Sequence, residues 1–301
     1  MDSTQVPPYD EGLFVSSATF RLHLAEIEKV FRIVPLKNIL DGGDNTKPLC
    51  AITLDDGWHD NFVIAYPILK QLRSPATVFL PAAKIGTSDG FWFQRLWDLA
   101  RAIKDSRKET VFVRYFQEKA PHWSIPSLSQ AGLTNLTKSL KNMPANKLDG
   151  IVEGAFDCLS LRSPARRTTI NWDEARIMGQ NGISFGSHGL RHYILPTLDQ
   201  DAKRKEIFGS LELLEQKEIP VAKYFSYPNG DWDVESLRFI REAGYKGALA
   251  LDGCYNNRQT NPFLLSRLSV HEDIGNHRNL LWFRILQAII AGPATPSTET
   301  I

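Results

Sequence analysis

Apolar and polar positions along the chain fall into two alternating patterns. Short apolar runs bounded by glycine, proline or acidic residues predict buried strands. These runs lie at residues 32–36, 51–54, 76–80, 183–186, 223–227, 246–251 and 264–270. Three- and four-residue apolar spacing predicts helices at 17–31, 60–72, 171–182, 199–217, 233–243 and 279–291. Strands that alternate with helices favour a parallel sheet, so we expect an α/β fold of the (β/α) barrel type.

The alternation is interrupted between about residues 84 and 170, where the chain is mostly polar and helical. We interpret this stretch as a helical insertion within one barrel domain that spans residues 17–291. Residues 1–16 are predicted to be irregular, and the Pro-, Thr- and Ser-rich tail 292–301 is predicted to be disordered. At the point where the alternation resumes, Asn171 and Glu174 have the spacing of a capping box.

Composition narrows the class of protein. Of the 301 residues, 43% are hydrophobic and 23% are charged, which is typical of a soluble globular protein. A formal net charge of +1 gives no basic field, so we predict no nucleic-acid partner. No apolar run has the length of a transmembrane helix, and the N-terminus lacks the basic and apolar regions of a secretory signal. We therefore expect no integral membrane segment and a cytoplasmic location.

The candidate chemistry begins at two adjacent carboxylates. Asp55 and Asp56 directly follow the predicted strand 51–54, and Gly57 ends it. Ligands of α/β folds bind at the carboxyl ends of parallel strands. Adjacent carboxylates repel each other unless a cation or a shared proton offsets the repulsion. Taken alone, Asp-Asp-Gly after a strand is also compatible with a simple helix-capping turn.

Ligands for such a cation follow another predicted strand. His188 and His192 are four residues apart, so one helical turn would put both imidazoles on one side. Two imidazoles and one carboxylate form a three-ligand set with open positions, as in catalytic zinc sites. We predict a divalent metal ion, with Zn²⁺ as the first choice, on Asp56, His188 and His192.

This site fits the hydrolysis of an amide or an ester. The metal ion would lower the pKa of a bound water towards ~7, and Asp55 would be a free base beside that water. The developing oxyanion also needs a hydrogen-bond donor. We expect a backbone donor in the turn formed by Tyr227, Pro228, Asn229 and Gly230.

Two further residues belong to the last predicted strand or its end. His271 is the best-placed imidazole to protonate the leaving nitrogen, although Glu272 and Asp273 could equally hold it as a solvated loop residue. Arg267 is costly to bury unpaired, so it either pairs with Asp55 or lies at an edge.

Together these motifs resemble the polysaccharide deacetylase family, the NodB-like carbohydrate esterases of family 4. T-L-D-D-G is similar to the T-F-D-D-G motif of that family, and S-H-G-L-R-H is similar to its H-[ST]-x-x-H motif, with Gly189 where Ser or Thr is usual. The resemblance spans about residues 18–270. It implies a distorted (β/α)7 barrel that hydrolyses N- or O-acetyl groups on sugars. It also implies that Asp55 is the general base and that Asp56, His188 and His192 bind the metal, usually zinc.

The chain departs from the family pattern in several places. The third motif often reads R-x-P-x-G, in which the arginine orients the base, whereas this chain has S-Y-P-N-G with Ser226 at that position. The Y-P-x-G form is similar to a variant branch of the family, and Arg267 is the candidate substitute. The D-x-x-D-W-like fourth motif is not evident, and His271 matches the histidine of the fifth motif only loosely. Many members also carry a strand before residue 17 that is not clear here, so either the barrel is incomplete or the sequence begins short of that strand.

We therefore predict a metal-dependent hydrolase that removes an acetyl group from an N-acetylated sugar. The carbohydrate partner would be a polysaccharide, glycolipid or nucleotide-sugar precursor. One alternative is a hydrolase of another non-peptide amide or formamide bond on the same metal site. The other is a catalytically silent carbohydrate-binding relative, which Ser226 at the position of the motif arginine and the missing fourth motif allow.

Overall fold

The computed structural model describes residues 15–40 and 47–295. The described residues form two compact units, one made of 15–40, 47–87 and 168–295 and the other of 88–167. The second unit occupies most of the predicted insertion. That this insertion belongs to a single barrel domain stays a prediction.

Most of both predicted irregular ends lies outside the described residues. Within them, Ser16 caps the first helix by accepting a hydrogen bond from the N–H of Thr19 at 3.2 Å. Residues 292–295 of the predicted disordered tail are ordered. The Asn261 N–H donates to the Thr295 carbonyl at 2.9 Å, and the Ala294 N–H donates to the Tyr255 carbonyl at 2.8 Å.

A curled parallel sheet organises the first unit. Two short strands, β1 (Arg32–Ile33) and β2 (Leu49–Cys50), pair with each other. Six others form the main sheet, and their bounds are β3 (Ile52–Leu54), β4 (Ala76–Leu80), β5 (Ile183–Ser187), β6 (Val221–Ser226), β7 (Gly247–Ala250) and β8 (Leu265–Ser266). They lie side by side in chain order and every pair is parallel. The sheet forms a half-barrel, which confirms the predicted (β/α) barrel-like fold.

Helices connect these strands and build the second unit. In chain order the helices are α1 (Ser17–Val30), α2 (Tyr66–Leu72), α3 (Trp92–Ala102), α4 (Ser106–Lys119), α5 (Gln130–Lys141), α6 (Ala145–Cys158), α7 (Trp172–Gly179), α8 (Gln200–Glu215), α9 (Val234–Glu242), α10 (Glu272–Gly275) and α11 (Arg278–Ala291). Helices α3 to α6 belong to the second unit and pack around their own apolar core. Among residues 15–40 and 47–295, none of the helices combines the length and hydropathy needed to cross a bilayer.

Local sequence explains where several of these elements begin. Asn171 and Glu174 form the predicted capping box at α7, with both hydrogen bonds at 2.8 Å. Pro67 lies in the first turn of α2, directly after a π-helical turn over Asn61–Ala65. The helix predicted over residues 60–72 is therefore α-helical only from Tyr66. β4 is buried along its whole length, as expected for an internal strand of a parallel sheet.

Candidate active site

The carboxyl ends of four strands meet at one edge of the sheet in the first unit. Asp55 and Asp56 follow β3, and His188 follows β5. Ser226 ends β6, and Arg267 follows β8. Because all strands are parallel, these residues reach the same edge although they come from distant parts of the chain.

A left-handed turn brings Asp56 into the site. Asp56 has φ 69° and Gly57 has φ 60°, so the chain leaves β3 in a conformation that suits glycine. A Cβ on Gly57 would lie 2.6 Å from Cδ2 of Leu80, so the position has no room for a side chain. The Gly57 carbonyl accepts the N–H of Ile170 at 2.7 Å, which fixes the turn.

Three side chains direct ligand atoms at one another. Nε2 of His192 lies 3.2 Å from Oδ1 of Asp56, and Nε2 of His188 lies 3.7 Å from the same oxygen. All three atoms fall within 4.8 Å of one another. Oδ1 of Asp56 is buried and accepts no well-aligned hydrogen bond, whereas Oδ2 accepts one from Nε1 of Trp58 at 3.0 Å.

These atoms fit a divalent metal ion. Zinc binds imidazole nitrogen and carboxylate oxygen at about 2.0–2.2 Å, which separates tetrahedral neighbours by roughly 3.3–3.5 Å. The observed separations of 3.2 and 3.7 Å bracket that value. A buried carboxylate oxygen without a hydrogen bond is costly unless a cation satisfies it. Asp56, His188 and His192 therefore have the donor types and the spacing that such an ion requires.

The protonation of His188 suits this arrangement. Its Nδ1 lies 2.7 Å from the Ser226 carbonyl, which can only accept, so Nδ1 carries the proton and Nε2 is left with its lone pair. Burial lowers the pKa of His188, and this effect outweighs the nearby charge of Asp55, which raises it. The imidazole is thus held neutral, as a metal ligand must be.

The two histidines do not share a helical turn, so that part of the prediction was wrong. Residues 188–194 are irregular, and the chain turns through left-handed conformations at Gly189 (φ 78°) and His192 (φ 68°). The two imidazole rings lie 4.7 Å apart and nearly perpendicular, at 78°. The loop brings both Nε2 atoms to one point although the local geometry is not helical.

Asp55 lies on the other side of this point and is paired with Arg267. Nη1 and Nη2 of Arg267 donate to the two carboxylate oxygens at 2.7 and 2.8 Å, and Nη2 also donates to Oγ of Ser226 at 2.8 Å. Burial raises the pKa of Asp55, but the charge and hydrogen bonds of Arg267 hold it well below its ordinary value. Asp55 is therefore ionised at neutral pH, with Oδ2 3.7 Å from Nε2 of His188.

The last strand is shorter than predicted, and this changes the position of His271. β8 covers only Leu265–Ser266, because its partner β7 ends at Ala250, which pairs with Ser266. The side chain of Asn256 donates to the Ser266 carbonyl and accepts the Ser266 N–H, both at 2.8 Å. Arg267 thus comes directly after the strand, whereas His271 is the N-cap residue of α10. The role of His271 as an acid stays a prediction.

The predicted oxyanion turn at residues 227–230 is largely engaged within the fold. The Tyr227 hydroxyl is buried and donates to the Phe263 carbonyl at 3.1 Å, and the Tyr227 N–H donates to Leu249. The Gly230 N–H donates to the Tyr227 carbonyl at 2.8 Å, while Pro228 has no N–H. Asn229 is left-handed, with φ 62°. An oxyanion role for this turn remains a prediction that the amides of Tyr227 and Gly230 do not support.

Two residues that support the site were missed in the sequence. Trp58 hydrogen-bonds Asp56 from only two positions away, and an indole so close to a candidate ligand could have been noticed. Glu206 is buried in α8 and accepts hydrogen bonds from the loop between the histidines. The sequence feature that could have indicated Glu206 is a carboxylate beside Ile207 on the apolar face of a helix, where a charged side chain needs a partner.

The chain matches a known protein family. The family model described as "Polysaccharide deacetylase" matches residues 42–111 and 160–248, which is more than half of the chain. No curated protein matches the chain.

Solved structures share the fold at low sequence identity. The Streptococcus pyogenes deacetylase PplD, in complex with acetate, superposes with a TM-score of 0.53 at 14% identity, over 92% of this chain and 88% of that one. IcaB from Ammonifex degensii has a TM-score of 0.54 at 14% identity, over 90% of each chain. A de-N-acetylase from Aggregatibacter actinomycetemcomitans has a TM-score of 0.54 at 13% identity, over 87% of each chain.

The segments that the family model matches contain Asp55, Asp56, His188 and His192, the residues that converge at the edge of the sheet. The chain belongs to the polysaccharide deacetylase family and is a hydrolase that acts on the non-peptide carbon–nitrogen bonds of acetylated sugars.

Proposed function

We propose that this hydrolase depends on a divalent metal ion and removes the acetyl group from an N-acetylated sugar. The observation that carries the proposal is the convergence of Asp56, His188 and His192 on one point beside the ionised Asp55. The substrate is a carbohydrate, namely a polysaccharide, glycolipid or nucleotide-sugar precursor.

Asp56, His188 and His192 would hold the ion, for which zinc is our choice because two imidazoles and one carboxylate suit catalytic zinc. Once bound, the ion would activate a water molecule and polarise the acyl carbonyl group. His188 can bind through Nε2 because its Nδ1–H is committed to the Ser226 carbonyl. Trp58 holds the second oxygen of Asp56, so Oδ1 stays directed at the ion.

Asp55 is the general base in this proposal. Its carboxylate takes a proton from the attacking water while the water oxygen bonds to the amide carbon. Arg267 fixes the carboxylate through two parallel hydrogen bonds and keeps it ionised. Each carboxylate oxygen retains a second lone pair, so the paired Asp55 can still accept that proton.

The second half of the reaction breaks the carbon–nitrogen bond. The leaving sugar nitrogen takes up a proton, and the products are acetate and a free amine. We assign this proton donor to His271, as the sequence predicts. A backbone donor in the turn at residues 227–230 would share the charge of the oxyanion, as the sequence predicts.

The ion pair of Arg267 and Asp55 supports an active enzyme over a silent carbohydrate-binding relative. The sequence features that allowed the silent form were Ser226 in place of the motif arginine and the missing fourth motif. A guanidinium nevertheless reaches the base from β8, so the electrostatic partner of the base is present.

The test is a panel of N-acetylated sugars assayed for released acetate, with the metal content measured on the same preparations. We expect acetate release with about one equivalent of metal per chain, and loss of both in His188→Ala. His59→Ala is the matched control, because His59 lies in the same region but contacts Glu174 at 3.3 Å, outside the ligand set. Full metal occupancy in His188→Ala would remove the ligand assignment. Release of formate or ammonia without acetate would select the alternative hydrolase.

A further inference from the structure

One buried carboxylate holds the loop between the two histidines. Glu206 of α8 is 1% exposed, and its Oε2 accepts the N–H groups of both Leu190 and Arg191, at 2.9 and 2.8 Å. Its Oε1 lies 3.9 Å from a guanidinium nitrogen of Arg191. Among the described residues, the polar contacts of this carboxylate all go to the loop. Burying a carboxylate is costly, so contacts confined to one loop indicate that the loop needs them.

Other backbone groups of the same loop are also engaged. The carbonyl groups of Gly189 and Leu190 accept the N–H groups of Ala82 and Ala83, at 3.1 and 2.8 Å. The Gly189 N–H donates to Oγ of Ser187 at 3.1 Å. The segment after β4 thus holds the loop through the loop's carbonyl groups, and α8 holds it through the loop's N–H groups. Without Glu206, two partly buried N–H groups would lose their acceptor.

His192 depends on this loop more than His188 does. His188 follows β5 directly and is fixed by the Ser226 carbonyl. His192 comes after the loop and has a left-handed backbone, with φ 68°. That conformation is unfavourable for a non-glycine residue and persists only where surrounding contacts impose it. The two N–H bonds to Glu206 end one residue before this strained position.

We propose that Glu206 is a positioning residue of the metal site, which fixes the 189–191 loop so that His192 shares one point with His188 and Asp56. The inference rests on the metal site of the proposed function. Glu206 does not touch the ion or the substrate in this arrangement. It sets the affinity for metal by holding a ligand in place before the metal binds.

The test measures Zn²⁺ affinity by competition with a chromophoric chelator, for the wild-type chain and variants at Glu206. Glu206→Met keeps the length of the side chain and removes both acceptor oxygens, so we expect metal affinity to fall roughly 10–100-fold. Glu206→Gln keeps one amide oxygen that can accept both N–H groups, so its affinity should stay within a few-fold of wild type. The absorption spectrum of bound Co²⁺ gives a second readout, which should change in Glu206→Met and not in Glu206→Gln.

Lys203→Met is the matched control. Lys203 lies on the same face of α8 and is 3% exposed. It pairs with Asp233 and Glu235 at the start of α9 rather than with the loop. Its loss should lower stability and leave metal affinity unchanged. If Glu206→Met does not fold, Glu206→Asp replaces it, because the shorter side chain draws the carboxylate away from the loop amides and should weaken binding in the same direction.

The outcomes separate this inference from the proposed function. A wild-type chain that binds no Zn²⁺ would overturn the metal site itself. A wild-type chain that binds Zn²⁺, with Glu206→Met or Glu206→Asp binding equally tightly, would overturn only the role of Glu206. Equal loss of affinity in Lys203→Met would show that α8 acts through overall stability, which also overturns that role.

Discussion

Two neighbouring carboxylates of this chain are held in opposite ways. On the base side of the site, Asp55 receives two hydrogen bonds from Arg267, with Ser226 beside them. On the ligand side, Asp56 has one oxygen bonded to Trp58 and the other left without a hydrogen bond, facing the two imidazoles. The base side carries its own cationic partner, whereas the ligand side presents a carboxylate oxygen and two imidazoles to one point.

The difference shows how adjacent residues can take different roles. A base needs an orientation and a charge, and a guanidinium fork supplies both. A ligand needs an oxygen whose lone pairs are not already used, together with neutral imidazoles around it. Ser226 joins the two sides, because its hydroxyl contacts Arg267 while its carbonyl fixes His188.

Replacing each carboxylate with an amide tests whether the two residues have different roles, and it should have the largest effect on turnover. Asp55→Asn keeps the shape of the side chain and cannot take a proton, so we expect turnover to fall roughly 10²–10⁴-fold or more with metal content unchanged. Asp56→Asn replaces an anionic ligand, so we expect metal content and turnover to fall together. Acetate release and bound metal, measured on the same samples, check both expectations.

The pair of variants also has a clear contrary result. If Asp55→Asn lost its metal while Asp56→Asn kept it, the two roles would be exchanged. Circular dichroism of both variants serves as the control, since each amide replaces a carboxylate of equal size and the fold should be retained.

The sequence predicted which residues meet, because their meeting follows from the topology. Asp55, Asp56 and His188 each come directly after an apolar run, and parallel strands in chain order must bring such positions to one edge. The position where each strand ends can be read from the local sequence, because a buried strand is apolar throughout or at every second residue.

The sequence did not predict how His192 reaches the site. Spacing of four residues favoured a helical turn, but the loop is set by contacts with Glu206, 14 positions beyond His192 in the chain. The predicted end of the last strand, at residue 270, was also wrong, because the strand stops where its neighbour β7 ends, at the pair of Ala250 and Ser266. Both errors concern contacts between separate segments of the chain that no periodicity records.

Moving the guanidinium tests whether the base side needs Arg267 in particular or only its charge. Arg267→Ser leaves Asp55 without its cationic partner and free to rotate, so we expect turnover to fall up to about 10²-fold with metal affinity little changed. Adding Ser226→Arg in the same chain puts an arginine at the position where the resembled family motif carries it. The double variant should recover a large part of the lost turnover.

The rescue is the discriminating measurement. Wild-type turnover in Arg267→Ser would show that Asp55 needs no cationic partner. A double variant that folds and remains as slow as the single variant would show that the direction from which the guanidinium arrives matters. Metal content should stay near wild type in the single variant, because none of the three ligands bonds to Arg267.

The smallest expected effect is that of replacing Trp58, which supports the metal ligand Asp56. Trp58→Phe removes the hydrogen bond to Oδ2 of Asp56 and keeps an aromatic ring in place, so the carboxylate gains freedom to rotate. Because partners of a metal ligand tune affinity by roughly 10–100-fold, and two imidazoles remain fixed here, we expect a loss near tenfold. Turnover at saturating Zn²⁺ should change little, since Asp55 and Arg267 are untouched. A chelator titration measures the affinity, and a Trp58→Phe chain that lost turnover even at saturating metal would show that the indole acts on the substrate rather than on Asp56.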